Sequence, residues 1–161
     1  MARMLRIQWK PTGNEAYDRL LGQFVERVAR YARGGSIQTR VRKYERYRAF
    51  LRFLAAQFGP QDIRNIQPRH VAAYIAHRRR AGVQEKTILA ELSIIRWWHN
   101  QIPWRKYEMP DNKTLFELEE RLDDKTFSEE VRYRYKITHT RRKRLISKSG
   151  GPVRESLPAG R

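Results

Sequence analysis

Residues 36–58 read SIQTRVRKYERYRAFLRFLAAQF, and the pattern in this stretch decides the fold class. Ser36 is a favourable N-cap after the helix-breaking pair Gly34-Gly35, and Gly59-Pro60 ends the pattern. Between these ends, apolar residues recur at steps of three and four, as on one face of an α-helix, at Ile37, Val41, Tyr44, Tyr47, Leu51, Leu54 and Phe58. The stretch therefore predicts a long helix that buries this face in a core.

The side of this helix opposite the apolar face is basic in its first half. At about 100° per residue, that side carries Thr39, Arg42, Lys43 and Arg46. In the second half, Phe50 and Phe53 extend the apolar character most of the way round. We therefore expect the first half to contact an anionic partner and the second half to be buried.

Neighbouring segments show the same periodicity and predict further helices at residues 15–31, 68–80, about 84–102 and 113–122. In the helix at 15–31, the apolar side consists of Tyr17, Leu20, Leu21, Phe24, Val28 and Tyr31. In the helix at about 84–102, which is the fourth helix of the chain, it consists of Ile88, Leu92, Ile95, Trp98 and Ile102. The sequence predicts an all-α bundle of four or five helices over residues 14–122. We expect a basic N-terminal arm at 1–13, which either orders on a partner or frays, and a basic, largely irregular C-terminal tail at 123–161.

The charge of the chain indicates a polyanionic partner. Lysine and arginine number 35 against 17 acidic residues, so the formal net charge is +18. Nucleic acid is the first candidate, because the basic residues are spread over several helices and do not form one membrane-seeking amphipathic helix. No cysteine and no long apolar run occur. We therefore expect a cytoplasmic protein that makes no membrane contact and that, in a bacterium or phage, associates with the nucleoid.

Further basic residues are candidates for contacts with DNA. The outward side of the fourth helix carries Lys86, Ala90, Ser93 and Trp97, with Arg96 at its edge. Small residues beside a lysine are typical of a helix whose backbone approaches a duplex, although close packing of another helix selects the same residues. Arg78, Arg79 and Arg80 at the end of the third helix either cap and solubilise the fold or contact phosphate. Arg105 and Lys106 lie in a later loop that either covers the core or contacts a phosphate backbone.

No pattern of residues indicates an enzyme or a cofactor site. The sequence contains no P-loop, no G-x-G-x-x-G, no H-E-x-x-H and no nucleophile elbow. His99 projects inward without a cysteine or carboxylate at ligand spacing, which favours a core histidine with one hydrogen-bonded nitrogen over a metal ligand. We expect neither a cofactor nor a metal site.

Three motifs together resemble the SAM-like core-binding domain of phage integrases and other tyrosine recombinases. They are Thr39-Arg40 with Glu45, the run PRHVAAYI from Pro68, and Lys86-Thr87-Ile88 followed by ELSIIRWWH. The resemblance covers about residues 14–122 and implies a small helical bundle that forms half of a clamp around a recombination site. In that family the second and fourth helices face the major groove, which implies DNA contacts at Thr39, Arg40, Arg42, Lys43, Arg46, Lys86, Thr87, Ala90, Ser93 and Arg96.

The resemblance does not extend to catalysis. A tyrosine recombinase continues into a catalytic domain with a tyrosine nucleophile, and residues 124–131 resemble the entry to that domain. No tyrosine follows Tyr135, so we expect the chain to bind duplex DNA at recombination sites without cleaving it. Two alternatives stay open. The chain is an RNA-binding protein of a ribonucleoprotein particle, or it is an accessory module that associates with a second copy of itself or with a full-length recombinase through residues 113–122.

Overall fold

The computed structural model describes residues 7–32, 35–59 and 61–138. Within these ranges the chain is helical and contains no β-strand, which confirms the predicted all-α class. The helices are α1 Glu15–Arg27, α2 Ile37–Phe58, α3 Pro68–Arg80, α4 Glu85–His99, α5 Asn112–Glu120 and α6 Lys125–Tyr135. Short 3₁₀ turns at Ala29–Tyr31 and Ile63–Asn65 precede α2 and α3 respectively.

Local capping sets where these helices begin. The side chain of Ser36 accepts a hydrogen bond from the backbone N–H of Thr39 at 3.1 Å, as the sequence predicts. Asn14, Asp111 and Asp124 cap α1, α5 and α6 in the same way. Each cap satisfies an N–H that has no partner within its helix, which stabilises the helix by about 1 kcal/mol.

The core lies where α1, α2 and α4 meet. Phe24 of α1 is 4.6 Å from the ring of Tyr47 and 4.8 Å from that of Trp98, measured between centroids. The indole N–H of Trp98 donates to the backbone carbonyl of Lys43 at 2.9 Å. This bond fixes the C-terminal half of α4 against the N-terminal half of α2.

The last two helices pack on α3. Leu118 of α5 and Val131 of α6 are buried together with Ala72 of α3. Backbone bonds from Glu108 N–H to the Tyr135 carbonyl and from Ile137 N–H to the Lys106 carbonyl then join the end of α6 to the loop after α4. The sequence range predicted as a tail therefore begins with a packed helix, and residues 139–161 lie outside the described residues.

The predicted core face of α2 is wrong in its first turns. Ile37 and Val41 are 37% and 41% exposed, whereas Arg40 is 2% exposed. The guanidinium Nη1 of Arg40 donates to the Ala32 carbonyl at 2.9 Å in the connection from α1. A buried carbonyl requires a donor, so the chain places Arg40 inward and turns its apolar neighbours outward.

Two further expectations differ from the structure near α1. Tyr31 is 63% exposed and not in the core, because α1 ends at Arg27 and the following 3₁₀ turn has a different number of residues per turn. The N-terminal arm is not frayed at Ile7 and Trp9, which pack against the core. A Cβ on Gly22 would lie 3.1 Å from the Trp9 ring, so the arm sits directly on the backbone of α1.

Candidate nucleic-acid interface

Helices α2 and α4 lie side by side and share one surface. The ammonium Nζ of Lys43 lies 4.0 Å from the centroid of the Trp97 ring, and the neighbouring Trp98 binds the Lys43 carbonyl. Further along α2, Arg46 approaches Glu91, which lies earlier in α4. The two helices are therefore antiparallel to each other. The basic flank of α2 is thereby placed beside the outward side of α4.

A buried carboxylate, Glu91, organises this junction. Arg78 of α3 donates from Nε to Oε1 at 2.9 Å and from Nη2 to Oε2 at 2.6 Å. Nη1 of Arg46 lies 3.6 Å from the same Oε2. The Glu91 side chain is 8% exposed, and a charge at that depth requires pairing. Because Arg78 already neutralises Glu91, the Arg46 side chain, 54% exposed, retains its positive charge at the surface.

We name the surface built by these helices the α2–α4 face. Its exposed members are Arg42, Arg46, Lys86, Ala90 and Ser93, and its half-buried members are Thr39, Lys43, Thr87 and Trp97. Glu45 does not oppose these cations, since it lies 3.5 Å from Arg48 on another side of α2. The face therefore combines four cations with two small side chains on α4.

Two residues that the resemblance assigns to DNA contact lie elsewhere. Arg40 is buried and bound to Ala32, as described above. Arg96 donates to the Pro110 carbonyl at 2.6 Å and to Oδ1 of Asn112 at 2.5 Å. Burial lowers the pKa of Arg96 from its usual value. These two arginines hold the domain together, and the sequence alone could not reveal their acceptors.

The candidate phosphate contacts divide in the same way. Arg79 pairs with Glu85 and Glu119, both at 2.5 Å. Arg105 pairs with Glu108 at 2.8 Å, and Arg78 is held by Glu91. Arg80 and Lys106 are exposed. Arg78 and Arg79 therefore tie α3 to α4 and α5, and Arg105 pairs within its own loop, whereas Arg80 and Lys106 face the solvent.

Among the residues that the structure describes, His70 and His99 are buried in the core. His99 is 1% exposed, and its Nε2 lies 2.7 Å from the Tyr107 carbonyl, as the sequence predicts for a core histidine. Burial lowers the pKa of His99 to about 4. His70 was not predicted as a core residue; its Nδ1 accepts from the Gln67 N–H at 2.9 Å, and burial lowers its pKa to about 3. Over the described ranges, no three metal-binding side chains come together.

The proposed partner helix, α5, uses its apolar side within the domain. Leu115 and Leu118 are buried against α3, and Glu119 is tied to Arg79. The outward side of α5 is therefore polar, with Lys113 and Glu117 exposed. In the part of the chain that the structure describes, no helix is both long and apolar enough to cross a bilayer.

Comparison with known proteins gives one family match. The model of the phage integrase N-terminal domain matches residues 18–102, which is just over half of the chain and spans α1 to α4. Searches among curated proteins and among solved structures found no match.

Proposed function

Because the chain belongs to the phage integrase N-terminal domain family, we propose that it binds double-stranded DNA at recombination sites through the α2–α4 face. One observation carries the proposal: Lys43, Arg46 and Lys86 lie beside the small residues Ala90 and Ser93 on two adjoining helices. Small side chains allow the backbone of α4 to approach a duplex, while the cations around them reach phosphates. DNA recognition of this kind is the role that the family match supports.

The side chains of the face suit two different tasks. Arg42, Arg46 and Lys86 are exposed basic side chains, so each can contact a phosphate and release counterions. Ser93 and Thr87 present hydroxyl groups, which can donate to or accept from base edges. Affinity should therefore come mainly from the cations, and any sequence preference from the shorter polar side chains of α4.

Binding of single-stranded RNA fits the structure less well. Proteins that bind single strands expose aromatic rings on which bases stack. Here Phe24, Tyr47 and Trp98 are buried in the core, and the half-buried ring of Trp97 on the α2–α4 face is covered by Lys43. The exposed rings of Tyr31 and Tyr133 lie on other elements. This arrangement favours a duplex as the ligand.

The test is a competition measurement by fluorescence anisotropy with duplex DNA, single-stranded DNA and double-stranded RNA across a salt series. The variant Arg42→Ala/Arg46→Ala/Lys86→Ala should lose duplex affinity, and the slope of log K against log salt should fall by about 3. The matched control is Arg19→Ala/Arg27→Ala/Lys113→Ala, which removes three exposed charges from α1 and α5. The control should change the slope far less.

An equal loss of duplex affinity in the variant and in the control would mean that DNA responds only to the total positive charge. The α2–α4 face would then not be the interface. Equal competition by double-stranded RNA would also count against the proposal and would favour a ribonucleoprotein role. Cleavage of site-containing DNA by the purified chain would contradict the expectation that it only binds.

A further inference from the structure

A second basic site lies between the start of α3 and helix α6, outside the α2–α4 face. A cavity of ≈ 480 Å³ opens there, which is within the size range of small-ligand sites. It is lined by Gln67, Arg69, Leu122, Lys125, Ser128, Glu129 and Arg132. Three of these residues are cationic and one is acidic, so the cavity carries a net positive charge.

The single acid of the cavity is already neutralised. Arg132 donates to Oε1 of Glu129 from Nη2 at 2.9 Å and from Nε at 3.1 Å. Its remaining Nη1 donates to the hydroxyl of Tyr107 at 3.1 Å. This pair lowers the pKa of Glu129, so the carboxylate stays ionised and bound to Arg132. Arg132 therefore offsets the charge of Glu129, which also attracts Arg69, and the lining as a whole keeps a net positive charge.

The other two cations of the cavity, Arg69 and Lys125, are exposed, and neither forms an ion pair among the described residues. Arg69 is nevertheless held in place, because its Nε donates to Oε1 of Gln67 at 3.3 Å and its guanidinium lies 5.3 Å from the Phe58 ring centroid. This leaves the terminal nitrogens of Arg69 as donors, and Lys125 and Ser128 of α6 line the same cavity.

We propose that this cavity binds a phosphate group. A pre-oriented guanidinium suits the planar, two-point recognition of phosphate, and a lysine supplies a second charge. The phosphate can belong to a DNA backbone that extends beyond the α2–α4 face or to a small phosphate compound. Both sources share the same chemistry and are distinguished by the experiment below.

The test uses the full chain and the variant Arg69→Ala/Lys125→Ala, with Arg19→Ala/Arg27→Ala as a control of equal charge. Calorimetric titration with pyrophosphate at low salt should show binding to the parent and to the control, and a loss of about tenfold or more in the cavity variant. Duplex DNA binding, measured by fluorescence anisotropy across a salt series, should then show whether the slope of log K against log salt falls by about 2 in the cavity variant and not in the control.

Loss of pyrophosphate binding alone would identify a small phosphate compound as the ligand, and a reduced duplex slope would identify DNA. If the cavity variant matches the control in both assays, the proposal is overturned. Arg42→Ala/Arg46→Ala/Lys86→Ala should still bind pyrophosphate, so failure of the α2–α4 proposal would leave this result unchanged. Both cavity residues are exposed, and an unchanged thermal unfolding midpoint would show that the variant is folded.

Discussion

Replacing Glu91 with glutamine should separate the stability of the domain from its affinity for DNA. The substitution keeps the shape of the side chain but removes the charge that Arg78 and Arg46 share. Breaking a buried ion pair by removing one partner typically costs about 3–5 kcal/mol. The Arg78 side chain is 27% exposed and can turn towards water, so we expect a smaller loss of about 1–3 kcal/mol in the free energy of unfolding.

Urea unfolding followed by circular dichroism measures this loss. The midpoint should fall while the slope of free energy against urea stays constant, because the core is unchanged. Glu45→Gln is the matched control, since Glu45 pairs with Arg48 at 3.5 Å but is 54% exposed. An exposed pair of this kind is worth at most about 1 kcal/mol, so the control should unfold almost as the parent does.

The affinity of Glu91→Gln for DNA should not fall with its stability. Glu91→Gln removes a negative charge beside the α2–α4 face and releases Arg46 from its 3.6 Å contact. Below the unfolding transition, duplex binding should therefore be equal to or stronger than that of the parent. Equal stabilities of Glu91→Gln and Glu45→Gln would refute the role of Glu91 as the tie between α2, α3 and α4. A loss of DNA affinity in a fully folded Glu91→Gln would refute the idea that Arg46 acts on DNA independently of Glu91.

Two further predictions concern the core and the arm. Burial lowers the pKa of His99 to about 4, against about 6.5 in an unfolded chain, so the unfolded chain takes up the proton first. The free energy of unfolding should therefore fall by roughly 3 kcal/mol as the pH drops from about 6.5 to 4. Urea unfolding at several pH values should show a smaller fall for His99→Gln than for the parent. An equal fall in the two proteins would contradict the prediction. Alanine in place of a helical glycine usually stabilises by about 0.5–1 kcal/mol, but in Gly22→Ala the new Cβ would lie 3.1 Å from the Trp9 ring. The gain should therefore appear only in a Trp9→Ala background, and equal gains with and without Trp9 would show that the arm does not rest on Gly22.

The positions of the first five helices could be predicted because their causes are local. Ser36 and Pro68 start helices at the predicted places, and Gly59, with φ 73°, ends α2. Capping and periodicity involve residues within one or two turns of each other, so the sequence contains the whole signal. The family resemblance then gave the correct family, as the match to residues 18–102 shows.

The rotation of α2 and the partners of the arginines could not be predicted in this way. Arg40 is buried because of a carbonyl at Ala32, and Arg96 is held by Pro110 and Asn112. These acceptors become neighbours only when the chain folds back on itself. Glu91 did give a signal that the sequence analysis missed, because it lies on the inward side of the fourth helix, where a carboxylate requires a cation nearby.

The structure thus gives the arginines of this basic chain two roles that composition cannot distinguish. Arg40, Arg78 and Arg96 are half-buried or buried and bind carbonyls or a carboxylate of other elements. Arg42 and Arg69, by contrast, are exposed on the two surfaces proposed to bind phosphate. Because the first group stabilises the fold and the second does not, alanine at the first should lower the free energy of unfolding, and alanine at the second should lower only affinity for phosphate or DNA. The net charge of +18 therefore indicates the class of partner, whereas the location of its contacts depends on which cations keep donor groups exposed at the surface.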